Sequence, residues 1–311
     1  MKDKKQLPLE QKEKAVHGER IFPLKKYLTT LQERYPIVTP HWHEEAEFTL
    51  ITSGVCTYQV DLESFQAMPG DFVFIPPLAL HSIAILPAGH MHSETYVFHL
   101  DFLGASSADI CAMRYLMPLA KQQLIPPFHI VKEHPVYPDA LALFYEISSC
   151  YSAAQPGYEL MLKSLLLKLL TLLLPYCSKS SEQPQSEHTQ KIKGVLEYIG
   201  LHYTENISIE SLASSCYFSE YHFMRFFKKY VGMSCLDYIK SLRLQKAADL
   251  LEQQELSITD AAMTAGFSSL SYFYREFKKR YGTTPRQFIH SLPERQHTNR
   301  ASTPGSPFSP L

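Results

Sequence analysis

The chain predicts an α+β protein: an N-terminal β-barrel with a helical segment, then an all-α C-terminal domain in which a long helix joins two helix-turn-helix motifs. Three observations predict it. Short runs rich in β-branched and aromatic residues, punctuated by Gly and Pro, fill Ile37 to about Phe102. Two stretches of helical period follow, the second rich in leucine. The last third then says nearly the same thing twice: HFMRFFKKYVG at 222–232 and YFYREFKKRYG at 272–282 agree at six of eleven positions.

At 311 residues the chain exceeds one ordinary core, and its 45% hydrophobic content is that of a globular protein. We divide it into an N-terminal arm (1–20), a barrel domain (21–135), a helical segment (136–177), a flexible linker (178–189), a helix-turn-helix domain (190–292) and a disordered tail (293–311). The opening MKDKKQLPLEQKEK has no apolar run of the kind a secretory signal needs. Six cysteines without CxxC spacing fit reduced thiols better than a disulfide frame or a zinc site. Both observations point to a cytoplasmic protein.

In the barrel region, the runs Phe48–Thr52, Cys56–Leu62, Asp71–Ile75 and Glu94–Phe102 read as strands of a small barrel or sandwich. Among them lie His41-x-His43-x3-Glu47-x6-Gly54 and Gly70-x5-Pro76-x4-His81, which resemble the paired cupin motifs, with Leu78 where the second commonly has glycine and Ile85 where it ends in asparagine. Residues i and i+2 of a strand share a face, so His41 and His43 both enter the barrel, with Glu47 near them. With His81 they offer three imidazoles and one carboxylate, a set that suits a divalent transition metal. The same four residues equally line a pocket for a small organic molecule, or cap the barrel mouth. The organic pocket is the preferred expectation, and no cofactor or metal is expected.

The helical segment comprises Pro138 to Tyr151 and Tyr158 to Leu174. In the second, leucines lie nearly all round, implying burial on more than one side, either in a dimer interface or against the barrel. It is shorter than the roughly 20 apolar residues of a membrane span and is interrupted by Lys163 and Lys168, so no membrane partner is expected. After Pro175, SKSSEQPQSEHT has no apolar period and reads as a linker.

In each C-terminal repeat, phenylalanines four apart (Phe223/Phe227 and Phe273/Phe277) mark a buried helix face. The opposite face carries Tyr221, Met224, Arg225 and Lys228, or Ser271, Tyr274, Arg275 and Lys278. Upstream, Ser208 and Ser257 precede short apolar runs, as helix N-caps do. Two helices with a short turn and a basic stripe on the second describe a unit whose second helix enters a DNA major groove. The spacer 234–253 lacks Gly and Pro; twenty helical residues span about 30 Å, against a groove repeat of about 34 Å. One chain therefore suffices to place both readers on one side of a duplex.

Residues 190 to 290 resemble the DNA-binding domain of AraC/XylS-type transcription regulators. The resemblance rests on Ser211-Leu212-Ala213, Arg225, Phe227-Lys228, Gly232, Arg243, Ala247-Ala248, Leu250-Leu251, Ile258, Ala261-Ala262, Gly266-Phe267, Ser271-Tyr272-Phe273, Arg275, Phe277-Lys278, Gly282 and Thr284-Pro285. It implies base contacts from Tyr221, Met224 and Arg225, and from Leu270, Ser271, Tyr274 and Arg275. The departures are Phe288-Ile289 in place of Tyr-Arg, and Cys235 where the second copy has Pro285. The resemblance also implies a sensor without catalysis, a homodimer, an arm that folds onto the sensor, and RNA polymerase as a partner if the protein activates.

Charge agrees in sign. Residues 190–292 carry thirteen Lys and Arg against ten Asp and Glu, whereas 1–189 carry fifteen against twenty. Seven of the thirteen cations fall on the two repeated helices, and local placement sets phosphate attraction. The expectation is a non-enzymatic, sequence-specific regulator of double-stranded DNA that responds to a small polar effector, plausibly a carbohydrate. The competing classes are a metal-dependent cupin enzyme with an accessory DNA-binding module, and a constitutive DNA binder.

Overall fold

The computed structural model describes residues 17–32, 36–86, 88–179, 187–254 and 256–291. Most of the arm, the centre of the linker and the C-terminal tail lie outside the described residues.

Two sheets make the N-terminal domain. One has the order β1-β8-β3-β6-β10, from β1 (Leu24–Leu31), β8 (Met91–Phe98), β3 (Ala46–Gly54), β6 (Phe72–Ile75) and β10 (His129–Ile130). The other runs β2-β7-β4-β5, from β2 (Ile37–His41), β7 (His81–Ala84), β4 (Cys56–Val60) and β5 (Glu63–Ala67). Gly54 turns the chain from one sheet to the other at φ +74°, where a Cβ would stand 1.9 Å from the His90 carbonyl oxygen; only glycine fits that corner.

Strand alternation sorts side chains between two cores. Along β3, Ala46, Phe48 and Leu50 face outward, while Ile51 faces the barrel interior with Tyr58, Val60, Val73 and Ile83. Against the outward face pack α3 (Tyr137–Ala153) and α4 (Tyr158–Leu173). The leucines of α4 point into this shared core: Leu162, Leu165, Leu166, Leu169, Leu170 and Leu173 are buried, and Leu167 and Leu172 are half-buried beside them. Packing on the barrel therefore accounts for the leucine-rich pattern. Among the described residues no helix is long and apolar enough to cross a membrane.

Three sequence boundaries shift. The run expected as a strand to Phe102 ends at Phe98, where the His99 side chain caps the short α1 (Leu100–Leu103). A π-helical turn (Ala112–Leu116) leads into α2 (Met117–Ala120), neither of which the periodicity flagged. The expected linker is ordered at both ends: β11 (Ser178–Lys179) pairs with β9 (Leu124–Ile125), and α5 (Glu187–His202) has begun before Thr189.

The C-terminal domain is all-helical: α5, then α6 (Ile209–Ser215), α7 (Glu220–Val231), α8 (Cys235–Glu252), α9 (Ile258–Thr264), α10 (Leu270–Tyr281) and α11 (Pro285–His290). Each repeat has its own core, one around Phe223, Phe227 and Tyr238 and the other around Phe273, Phe277 and Phe288. The spacer α8 contributes to both, through Ile239 and Leu242 at one end and Leu244, Ala248 and Leu251 at the other. At 18 residues it is about 27 Å long.

Candidate nucleic-acid interface and barrel site

Each reader helix is set by the same local devices. Ser219 and Ser269 sit before α7 and α10, and their hydroxyls accept from the His222 and Tyr272 backbone N–H. Gly232 and Gly282 close the helices at φ +79° and +70°. The turns before them also match: Tyr217 (φ +59°) and Gly266 (φ +88°) hold the left-handed position between paired helices. A Cβ on Gly266 would stand 2.7 Å from Thr204 Cα, whereas Tyr217 points to solvent. That crowding explains why one copy needs glycine and the other tolerates a side chain.

The expected outer stripes are exposed. Tyr221 and Met224 are 71% and 51% open, and Arg225, Lys228, Ser271, Tyr274, Arg275 and Lys278 are likewise on the surface. Arg225 stacks over the Tyr221 ring and Arg275 over the Tyr272 ring. The Arg275 Nε also donates to Glu276 Oε1 at 3.2 Å, an intramolecular partner the sequence did not signal. Leu270, at the start of α10, is half-buried against the second core. Of the seven clustered cations, Arg280 turns inward, donating to the Ser241 hydroxyl. Arg243 ties the loop after α5 to α8, donating from Nε to the Tyr203 carbonyl and from Nη2 to the Glu205 carbonyl, both at 2.6 Å.

In the barrel, the four residues picked out by the motifs meet. His41 and His81 are cross-strand partners on β2 and β7, Glu47 lies on β3, and His43 follows β2. His43 Nε2 is 3.0 Å and His81 Nε2 3.8 Å from Glu47 Oε1. The His41 and His81 rings are 4.2 Å apart. His17 leans on His43 with ring centroids 5.3 Å apart and hydrogen-bonds the Tyr27 hydroxyl. Burial pushes the Glu47 carboxyl up, but the His43 hydrogen bond and the charges of the surrounding imidazoles outweigh it and leave the group at about 2. Burial pushes the His81 imidazole down to about 3, so the ring is neutral. A cavity of about 140 Å³ opens beside them, lined also by Thr29, Ser93 and Thr95. Among the described residues the buried Ser93 hydroxyl finds no hydrogen-bond partner, and a polar occupant would satisfy it.

Leu78, where the cupin pattern has glycine, takes φ +65°, which costs a residue with a Cβ about 1–2 kcal/mol. Its N–H donates to the His43 carbonyl and its own carbonyl accepts from Lys193 Nζ on α5 at 2.6 Å. Trp42, between His41 and His43, is 4% exposed and packs with Leu80 into the core of the first helix-turn-helix unit, its ring 5.6 Å from Lys193 Nζ. Thr39 on β2 donates to Gln245 Oε1 of α8. The barrel rim that carries the histidines is therefore also the surface on which the C-terminal domain docks. No sequence pattern singled out Trp42, Leu78 or Lys193 for this contact.

Comparison with known proteins agrees with this two-part architecture. A family model described as an AraC-like ligand binding domain matches residues 27–170, and one described as a helix-turn-helix domain matches 212–291. The HTH-type transcriptional regulator YdeC of Bacillus subtilis (strain 168) is 25% identical over 280 residues, 88% of this chain and 94% of its own length. The probable transcription factor PqrA of Proteus vulgaris is 39% identical over 84 residues, 27% of this chain and 69% of its own. Among solved structures, ToxT of Vibrio cholerae bound to an unsaturated fatty acid aligns over 86% of this chain and 95% of its own, at 15% identity and a TM-score of 0.45. A likeness that distant carries no argument about what the present barrel holds.

Proposed function

Because the chain belongs to the AraC family of DNA-binding transcription regulators with a ligand-binding domain, we propose that it reads a specific operator with both basic helices and couples that reading to occupancy of the barrel. The observation that carries the proposal is the duplicated reader: two capped helices of one design, each buried through a phenylalanine pair and each exposing an arginine with a lysine three residues on. Arg225 and Arg275 are assigned to base edges, since a guanidinium can pair bidentately with guanine. Lys228 and Lys278 are assigned to phosphates, where a helix C-terminus already favours a cation. Met224 has no donor or acceptor to offer a base, so it reads by apolar contact, as against a thymine methyl.

For the effector, Thr29, Thr95 and the unpartnered Ser93 hydroxyl support a small polar molecule, with a carbohydrate as the finer reading. The cavity is small beside the roughly 300–1,000 Å³ of drug-sized ligand sites. The docking of Trp42 between two site histidines supports transmission from barrel to reader, since an occupant acts only by preferring one arrangement over the other. Exposed Tyr145, Leu160 and Met161 on α3 and α4 support assembly as a homodimer through that segment. RNA polymerase is a further partner if the protein activates.

The test compares variants on operator and random duplexes, the operator being recovered by selection from a random pool. Arg225→Ala and Arg275→Ala should each cost about 1–3 kcal/mol on the operator and relax base preference at one position. Lys228→Ala should weaken all duplexes alike and reduce the salt dependence. Equal losses on operator and random DNA for both arginines would overturn the assignment.

A further inference from the structure

We propose that Glu276 is a positioning residue for base reading: it holds the Arg275 guanidinium by one edge, so that α10 presents a single fixed pair of donors to the major groove. The proposal rests on the assignment of Arg275 to a base edge and adds a specificity role for its neighbour.

An acidic group is out of place beside an arginine that reads DNA. It repels the phosphates of every duplex alike, so any advantage it confers has to come from discrimination among duplexes. Glu276 nevertheless sits against Arg275, its Oε1 3.2 Å from the arginine Nε. Successive residues on a helix point about 100° apart and do not ordinarily face one another, so the contact needs a second tie. Lys240 of α8 provides it, with Nζ 3.5 Å from Glu276 Oε2 and 2.8 Å from Asp237 Oδ1. The Glu276 side chain is 11% exposed and that of Arg275 is 69% exposed. The carboxylate is thus anchored between two helices while the guanidinium it holds stands on the outer stripe.

The guanidinium is restrained on two sides. Its Nε edge is taken by Glu276, and one face covers the Tyr272 ring, whose centroid lies 5.0 Å from the guanidinium carbon. A guanidinium can offer guanine either Nε with one Nη or the two terminal Nη groups. With Nε engaged, the terminal pair remains. A side chain of large rotamer freedom is therefore set before DNA arrives, and the ordering cost falls away for the one base edge that matches. Phosphate oxygens lose the freely swinging arginine that would otherwise reach them.

The first repeat lacks this device. The position equivalent to Glu276 is Phe226, 6% exposed and part of the first core. Among the described residues Arg225 has the Tyr221 ring 5.8 Å away and no hydrogen-bonded carboxylate. The two readers share an arginine and differ in its restraint, which makes α10 the more exacting reader and α7 the more tolerant one.

The test uses the full-length protein and two fluorescent duplexes, the operator selected from a random pool and a scrambled sequence of the same length. Arg275→Ala first locates the base pair at which preference is relaxed. At that pair Glu276→Ala should lose most of the roughly 5–150-fold discrimination that one bidentate contact supplies. It should also bind the scrambled duplex more tightly, with a salt slope steeper by up to about one as the released arginine takes a phosphate. Glu276→Gln keeps an oxygen that accepts from Nε and should restore much of the preference, whereas Lys240→Met, which loosens the carboxylate, should reduce it at the same pair. In the free protein the Arg275 Nε–H resonance, identified by its absence from Arg275→Lys, should exchange slowly in the wild type and rapidly in Glu276→Ala. A role in the fold alone predicts equal losses on both duplexes with base preference intact. That result overturns the proposal, and a relaxed position in Arg275→Ala then leaves the assignment of the arginine standing. No relaxed position in Arg275→Ala overturns both.

Discussion

Replacing Trp42 by alanine isolates the contact between barrel and reader. The side chain is 4% exposed, and its neighbours in the core are Leu80 of the barrel and residues of α5 to α8. A buried aromatic of this size removes about 150–250 Å² from water; at about 25 cal/mol per Å² that is roughly 4–6 kcal/mol. Measured Trp-to-Ala losses in cores run about 3–5 kcal/mol. The two ranges meet near 4 kcal/mol, about a thousandfold in an equilibrium constant. Trp42 belongs to the first reader core and not to either barrel core, so the loss should fall on docking of the domains. Hydrogen exchange should show α5 amides losing protection while β3 and β8 keep theirs. Calorimetry should resolve two transitions where the wild type shows a coupled one. Unchanged α5 protection with a single coupled transition would refute the reasoning.

Gly266→Ala places a methyl 2.7 Å from Thr204 Cα at φ +88°, and should cost at least about 2 kcal/mol in urea unfolding. Its counterpart Tyr217→Gly relieves an exposed left-handed residue and should be neutral or stabilising by up to about 1 kcal/mol; equal effects would refute the crowding argument. Phe277→Ala, a fully buried ring packed against Phe273, Tyr281 and Phe288, should cost about 3–5 kcal/mol and weaken operator binding, read by anisotropy and circular dichroism. Burial pushes the Lys193 ammonium down to about 8 from 10.5, so the docked state holds fewer protons than the open or unfolded chain between those values. Docking should therefore strengthen as pH rises through that window, by up to about 3 kcal/mol. Lys193→Met should flatten the dependence; an identical pH profile in that variant would refute it.

Much of the helical domain was legible because its information is local. A serine cap, a phenylalanine pair four apart and a closing glycine all fall within one short window, and duplication repeats the message at 222–232 and 272–282. The motif histidines were picked out by their spacing, although β2 ends at His41 and the strand period invoked for His43 does not extend to it. That Leu270 leans on the second core was not legible, because an apolar residue at a helix start carries no mark of which neighbour it packs against. The ends of the linker were misread because β11 is only two residues long and draws its order from β9, more than fifty residues away.

By itself, then, the chain determined the paired helices of the C-terminal domain, which of their faces are buried, and that two basic ridges repeat across a spacer helix, since each follows from spacing along the backbone. Tertiary structure alone decided that Lys193 reaches the Leu78 carbonyl across 115 residues, that Trp42 leaves the barrel for the reader core, and that His43 and His81 each bring Nε2 within 4 Å of the Glu47 carboxylate. These are properties of packing and hydrogen-bond direction between distant elements, and they exist only once the sheets and helices have closed on one another.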